Sequence, residues 1–90
     1  MIVEDFEIKL RKSCTPFIKM ISTRLVDAKQ ECRNSHLCAM FFDNCGAETE
    51  WYYCMNTGYE VGKNPNMQCG ATGYTTLYKK GNKDVLNNVM

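Results

Sequence analysis

Residues 31–54, ECRNSHLCAMFFDNCGAETEWYYC, carry the side chains of this chain that are best suited to chemistry. They include the only histidine, His36, and four of the six cysteines, at positions 32, 38, 45 and 54. Thiolates and imidazoles bind metals, a thiol beside a histidine is a common nucleophile, and paired thiols form disulfides. The function class depends on which of these three uses applies.

The spacing of the cysteines argues against a metal site. Structural zinc sites typically use close C-x2–4-C pairs whose turn aims both sulfurs at one point. The six cysteines here are separated by 17, 5, 6, 8 and 14 residues, with no such pair. A site made of Cys32, His36, Cys38 and Cys45 would also leave two cysteines unexplained. We therefore expect neither a metal nor another cofactor.

Catalysis by a thiol or by carboxylates has little support in the pattern. Cys32 falls near the end of a predicted helix, where the helix dipole disfavours a thiolate. His36 lies in a polar loop, which is the usual place for a solvated histidine. Glu48 and Glu50 fall in a predicted turn with no sign of burial. We expect that the chain is not an enzyme.

Disulfides account for all six sulfurs. A domain of 90 residues buries only a marginal core, and small domains often need covalent staples. The predicted elements favour the pairs Cys32–Cys38, from helix to sheet, Cys45–Cys54, across a hairpin, and Cys14–Cys69, between the terminal segments. The nested alternative, Cys32–Cys54 with Cys38–Cys45, stays open on spacing alone. Three disulfides imply an oxidising compartment, so we expect a secreted or extracellular protein.

The hydrophobic pattern predicts an α+β domain with one helix packed on a small antiparallel sheet. Apolar residues alternate at 6, 8 and 10 and indicate a first strand, and a short apolar run follows at 17–21. Helical periodicity covers 24–34, with Ser22-Thr23 as the expected N-cap. The segments 38–43 and 51–55 then read as a hairpin with its turn at 46–50, and 73–80 as the last strand. Because residues 38–43 are almost all apolar, we expect that strand to be covered on both faces.

The segment 56–70 is rich in Gly and Asn and predicts a long loop, which in a small domain is often functional. We expect its polar and aromatic side chains to bind a ligand, with Tyr59, Lys63, Asn64 and Asn66 as the candidates. Residues 1–80 then form one domain, followed by a C-terminal tail at 81–90.

Charge and hydropathy exclude several classes of partner. The net charge of +1 gives no overall attraction to nucleic acid. No segment approaches the ~18 apolar residues of a transmembrane helix, so we expect no membrane insertion. The chain begins MIVEDFEIKL, whose acidic residues do not fit a signal peptide. We expect an extracellular protein or glycan as the partner.

The run AKQECRNSHLCAMFFDN, the later WYYCMN and the closing TTLYKK resemble PAN/apple domains. In that family a helix with a cysteine is followed by a short loop and a strand of the type that begins at Cys38, and Cys54 matches the return strand of the hairpin. The resemblance spans about 6–80, with specific matches in 23–55 and 73–80. It implies an extracellular, non-catalytic module that binds proteins or carbohydrates in adhesion or docking.

One departure from the family pattern concerns the helix. The family commonly places two cysteines four residues apart there, but the first position here is Ala28. A Cys45–Cys54 bridge would give Cys54 a new partner and explain the added Cys45. The alternative function is a stand-alone secreted inhibitor or toxin-like effector, and a third hypothesis is a cytosolic zinc-binding interaction domain.

Overall fold

The structure, a computed structural model, describes residues 6–62 and 74–81, apart from the side chain of Glu48. This part of the chain forms five strands and one helix: β1 (Phe6–Leu10), β2 (Ser13–Lys19), α1 (Leu25–Asn34), β3 (Cys38–Asn44), β4 (Ala47–Val61) and β5 (Thr76–Lys80). The predicted class, one helix on an antiparallel sheet, is confirmed. Of the predicted C-terminal tail at 81–90, residues 82–90 lie outside the described residues.

The sheet curls so that its two edges approach each other. Its strand order is β1-β5-β3-β4-β2 with antiparallel neighbours, which puts β1 and β2 on opposite edges. Only Arg11 and Lys12 connect them, and that connection spans at most about 11 Å. The edges of a flat five-stranded sheet would lie roughly 19 Å apart. The sheet therefore curls, which brings its two edges close enough for the short connection. A hydrogen bond of 2.9 Å from Lys9 Nζ on β1 to Glu60 Oε1 on β4 crosses the concave side of the curled sheet.

Helix α1 packs on the outer, convex face of the sheet. Ala28 and Cys32 are fully buried there, because they lie on the one apolar face of the helix. Phe41 forms the centre of this cluster. Its ring stacks on Tyr78 at 5.0 Å between centroids and meets the edge of Trp51 at 5.7 Å.

A second apolar cluster fills the inner, concave face. Its buried members are Cys14, Met40, Phe42, Cys54 and Leu77. Residues 40–42 supply both clusters, because successive side chains of a strand point to opposite faces. The expectation that residues 38–43 form a strand covered on both sides is therefore confirmed.

The second strand of the hairpin is much longer than the sequence predicts. The turn contains only Cys45 and Gly46, both at positive φ (53° and 86°), as a two-residue hairpin turn of the primed type requires. Strand β4 begins at Ala47 and continues to Val61. The predicted turn at 46–50 is thus wrong, and so is the predicted loop for residues 56–61. Tertiary pairing with β2 keeps this Gly- and Asn-containing segment extended.

Helix α1 begins later than its predicted N-cap. Arg24 occupies the N-cap position with φ −126° and ψ 150°, and no side chain caps the helix there. The prediction of Ser22-Thr23 is wrong because the Ser22 hydroxyl and backbone N–H both donate to the Glu31 carboxylate, further along the helix. At the other end Lys80 Nζ donates to the carbonyls of Cys32 and Ser35, at 2.8 and 3.0 Å, which holds the end of α1 against β5.

Candidate functional site

The cysteines at the end of α1 and the start of β3 are bonded to each other. The Cys32–Cys38 disulfide joins helix and sheet with a Cα separation of 5.2 Å, and both residues are buried in the outer cluster. This is the pair that the sequence favoured. Neither sulfur is a thiolate in this state, so neither serves as a zinc ligand or a nucleophile next to His36, which is exposed.

The second disulfide differs from the predicted pairing. Cys14 is bonded to Cys54, with a Cα separation of 6.2 Å, and both are fully buried in the inner cluster. The predicted pairs Cys45–Cys54 and Cys14–Cys69 are therefore wrong.

The geometry of the hairpin explains this correction. Cys54 lies opposite Met40 in the β3–β4 ladder, and Met40 is five residues along β3 from Cys45 in the turn. Five residues of strand cover about 16 Å, whereas disulfides need Cα atoms about 4–7 Å apart. β2 folds over the inner face instead and brings Cys14 to Cys54, so residues that are 40 apart in sequence meet.

Cys45 takes part in a disulfide as well, whereas Cys69 lies outside the described residues. At the position where the PAN/apple pattern has a helix cysteine, this chain has Ala28, which is fully buried on the face of α1 that packs on the sheet. Cys54 thus finds its partner on β2 and not on the helix.

Of the predicted ligand-binding residues, the structure places Tyr59 only. It lies on β4 opposite Thr15, with 63% of its surface exposed. Lys63, Asn64 and Asn66 lie outside the described residues.

The described surface contains a cluster of side chains that the sequence pattern did not predict. Burial falls steeply along β1, since Phe6 is 2% exposed, Ile8 55% and Leu10 65%. Next in the chain, the Arg11 guanidinium lies 5.4 Å from the ring centroid of Tyr74, which is 45% exposed. We call Ile8, Leu10, Arg11 and Tyr74 the edge patch.

The edge patch exists because the helix is short. With 10 residues, α1 is about 15 Å long. The helix covers Phe6, and the Arg33 guanidinium lies 5.5 Å from the centroid of the Phe6 ring. It also covers Tyr78, which lies opposite Ile8 on β5, but it does not cover the rest of β1. The alternation of β1 predicted a half-buried strand, and the short helical pattern was the available signal that its apolar face would be only partly covered.

An ion cluster lies on the concave side, behind the edge patch. The Glu60 carboxylate accepts from Lys9 at 2.9 Å and lies 3.1 Å from Lys79 Nζ. The hydrogen bond from Lys9 lowers the pKa of Glu60, and the bond to Glu60 raises the pKa of Lys9. The cluster connects β1, β5 and the end of β4, and it therefore supports the curl at this corner.

A small cleft lies beside the Cys32–Cys38 disulfide. It has a volume of about 60 Å³ and is lined in part by Glu31, Ser35 and Tyr53. Sites for small-molecule ligands usually measure about 300–1,000 Å³. The cleft is too small to enclose such a ligand, so the edge patch is the stronger candidate for recognition.

Comparison with known proteins found no match to this chain. No family model matches the chain, and neither a curated protein nor a solved structure matches it. In the part of the chain that the structure describes, no helix has the length and apolar character needed to cross a bilayer.

Proposed function

We propose that this chain is an extracellular, non-catalytic module of the PAN/apple kind that recognises a protein through the edge patch. The observation that carries the proposal is the exposure of Ile8 and Leu10 on a strand that the helix leaves partly uncovered. Neighbouring exposed apolar side chains mark interaction sites. Arginine and tyrosine, which lie beside them here, are enriched in the hot spots of protein interfaces.

The buried disulfides support the extracellular part of the proposal. Cys14, Cys32 and Cys54 are fully buried and Cys38 is 3% exposed, each within an apolar cluster. Such bonds form and persist in oxidising compartments.

The chemistry of the edge patch favours a protein over a carbohydrate. Sugars are held by stacking on open aromatic faces and by polar contacts, whereas aliphatic side chains suit the apolar core of a protein interface. Two of the four patch residues are aliphatic, and the Arg11 guanidinium already lies over the ring of Tyr74. We therefore place a protein partner first and a glycan second.

The test measures which proteins the purified, oxidised domain and its variants capture from the extracellular medium of the native source. Binding of the same variants to a glycan array is measured alongside. Leu10→Asp should reduce the amount of each specifically captured protein at least about tenfold, as expected for a hot-spot residue. The matched control is Ile21→Asp, which adds the same charge at a residue that is 92% exposed and outside the patch. This control should bind like the unmodified chain.

Two results would contradict the proposal. Equal capture by Leu10→Asp and the unmodified chain would remove the edge patch as the contact surface. A glycan signal that is lost with Tyr59→Ala and kept with Leu10→Asp would instead indicate that a carbohydrate binds at the predicted ligand-binding residue Tyr59.

A further inference from the structure

Strand β5 pairs with one edge of β1. Within residues 6–62 and 74–81, no strand pairs with the other, outer edge of β1. An edge strand presents backbone N–H and C=O groups that can extend the sheet. On one face of this edge lie Ile8 and Leu10, and on the other lie Glu7 and Lys9.

We propose that the protein recognised through the edge patch is a second copy of this chain, which adds its own β1 antiparallel to the first. This inference rests on the proposed function and names the partner of that same surface. Two five-stranded sheets would then continue into one another across a two-fold axis that passes through the pair formed by Ile8 and its equivalent.

The sequence FEIKL is self-complementary in this register. A two-fold axis perpendicular to the sheet keeps the helix-bearing faces of both copies on the same side, so residues of equal parity must face each other. With the axis at Ile8, Phe6 faces Leu10 and Glu7 faces Lys9 of the second copy. Opposite charges and apolar pairs that face each other directly stabilise antiparallel strands.

The neighbouring registers bring like charges together. An axis at Glu7 would place two carboxylates directly opposite each other, and an axis at Lys9 would do the same with two ammonium groups, which destabilises the pairing. Charge therefore selects the register centred on Ile8.

The surroundings of β1 accommodate this arrangement. α1 packs at the Phe6 end of the strand, so the two helices would lie at opposite ends of the paired strands. The side chain of Glu7 is 65% exposed, and its carboxylate lies 3.9 Å from Lys9 Nζ on the same strand. The Lys9 ammonium also binds Glu60 at 2.9 Å on the concave side. In the register centred on Ile8 the ammonium faces a further carboxylate, whereas an axis at Lys9 would bring a second ammonium group to it.

The contact is small, and this sets its strength. Five residues a side are fewer than the about 20–30 residues a side of a standard interface. We therefore expect a reversible dimer whose population rises with protein concentration.

Sedimentation equilibrium over a wide range of concentration tests the inference. The unmodified chain should change from monomer to dimer, whereas Ile8→Lys and Ile8→Glu should each remain monomeric, because each puts like charges on the axis. An equimolar mixture of the two variants should dimerise again, since opposite charges then meet there. Ile21→Lys is the control and should dimerise like the unmodified chain.

A monomeric unmodified chain at every concentration, or a mixture that stays monomeric while the unmodified chain dimerises, would overturn the inference. Failure of the inference is distinguishable from failure of the proposed function. If the chain is monomeric but Leu10→Asp still abolishes capture of another protein, the edge patch remains a protein-binding surface and the second copy is rejected as its partner.

Discussion

Gly58 lies where β4 bends across the inner face of the sheet. The β2–β4 register changes here, because Thr15 pairs with Tyr59 but Phe17 pairs with Cys54. A Cβ atom on Gly58 would lie 2.9 Å from Cβ of Cys54 and 3.1 Å from the carbonyl oxygen of Met55. Neither atom moves easily, since one belongs to a buried disulfide residue and the other to the backbone.

We expect Gly58→Ala to lower the free energy of unfolding by about 1–3 kcal/mol, the usual cost of overpacking. The measurement is chemical denaturation of the oxidised protein. Gly62→Ala is the matched control, because a Cβ at Gly62 has no atom within 4 Å. Equal stability of the two variants would show that β4 does not pass so close to Cys54.

Glu60 makes stability depend on pH at the corner where the sheet curls. Its pKa is lowered below the ordinary 4.5, chiefly by the hydrogen bond from Lys9. A carboxylate with a lower pKa in the folded state stabilises the fold above its unfolded pKa and loses this contribution as the pH falls.

We therefore expect Glu60→Gln to be less stable than the unmodified chain at pH 7, by no more than about 1 kcal/mol because the groups are partly solvated. The difference should shrink as the pH falls below 4.5. Denaturation curves at a series of pH values measure it. A difference that stays constant down to pH values well below 4.5 would contradict an ionic contribution from Glu60.

At the scale of elements, the start of α1 leaves room for stabilisation. The N-cap residue Arg24 has the extended backbone that a cap needs, but it makes no side-chain cap bond. Its guanidinium binds Asp27 at 2.8 Å on an exposed surface, where such pairs add little.

We expect Arg24→Ser to raise the free energy of unfolding by roughly 0.5–1 kcal/mol, because a serine hydroxyl accepts from the free N–H groups of the first turn. Thermal unfolding measures the gain. Thr23→Ser is the control one residue earlier and should leave stability unchanged. If Thr23→Ser raised the free energy of unfolding and Arg24→Ser did not, residue 23 would be the N-cap.

At the scale of the whole molecule, the two identified disulfides constrain different lengths of chain. Cys14–Cys54 spans 40 residues and joins β2 to the far half of the hairpin, whereas Cys32–Cys38 spans 6. Chain entropy in the unfolded state makes the longer link the more stabilising one.

Removal of Cys14–Cys54 by the double change to alanine should cost about 4 kcal/mol, against about 2 kcal/mol for removal of Cys32–Cys38, on the entropic model. Denaturation of the two double variants under oxidising conditions measures the difference. Peptide mapping of the unreduced protein should recover both links. A peptide joining Cys45 to Cys54 would contradict the fold of β2 over the inner face.

Local pattern was enough to predict the order of elements, the helix over residues 24–34 and the two-sided burial of residues 38–43, and it favoured the Cys32–Cys38 bond. These features depend on residues that are close in sequence, where periodicity and short loops limit the possible arrangements. The helical face of Ala28 and Cys32 and the short link to Cys38 are examples.

Only the tertiary structure decided the length of β4, the partner of Cys54 and the exposure of Ile8 and Leu10. Each depends on which strand lies beside which, and no local pattern encodes that. The connection through Arg11 and Lys12 makes the sheet curl, the curl brings Cys14 to Cys54, and a helix of 10 residues leaves the far end of β1 exposed. The fold class thus follows from local periodicity, whereas the candidate site follows from long-range pairing and from the area that one short helix can cover.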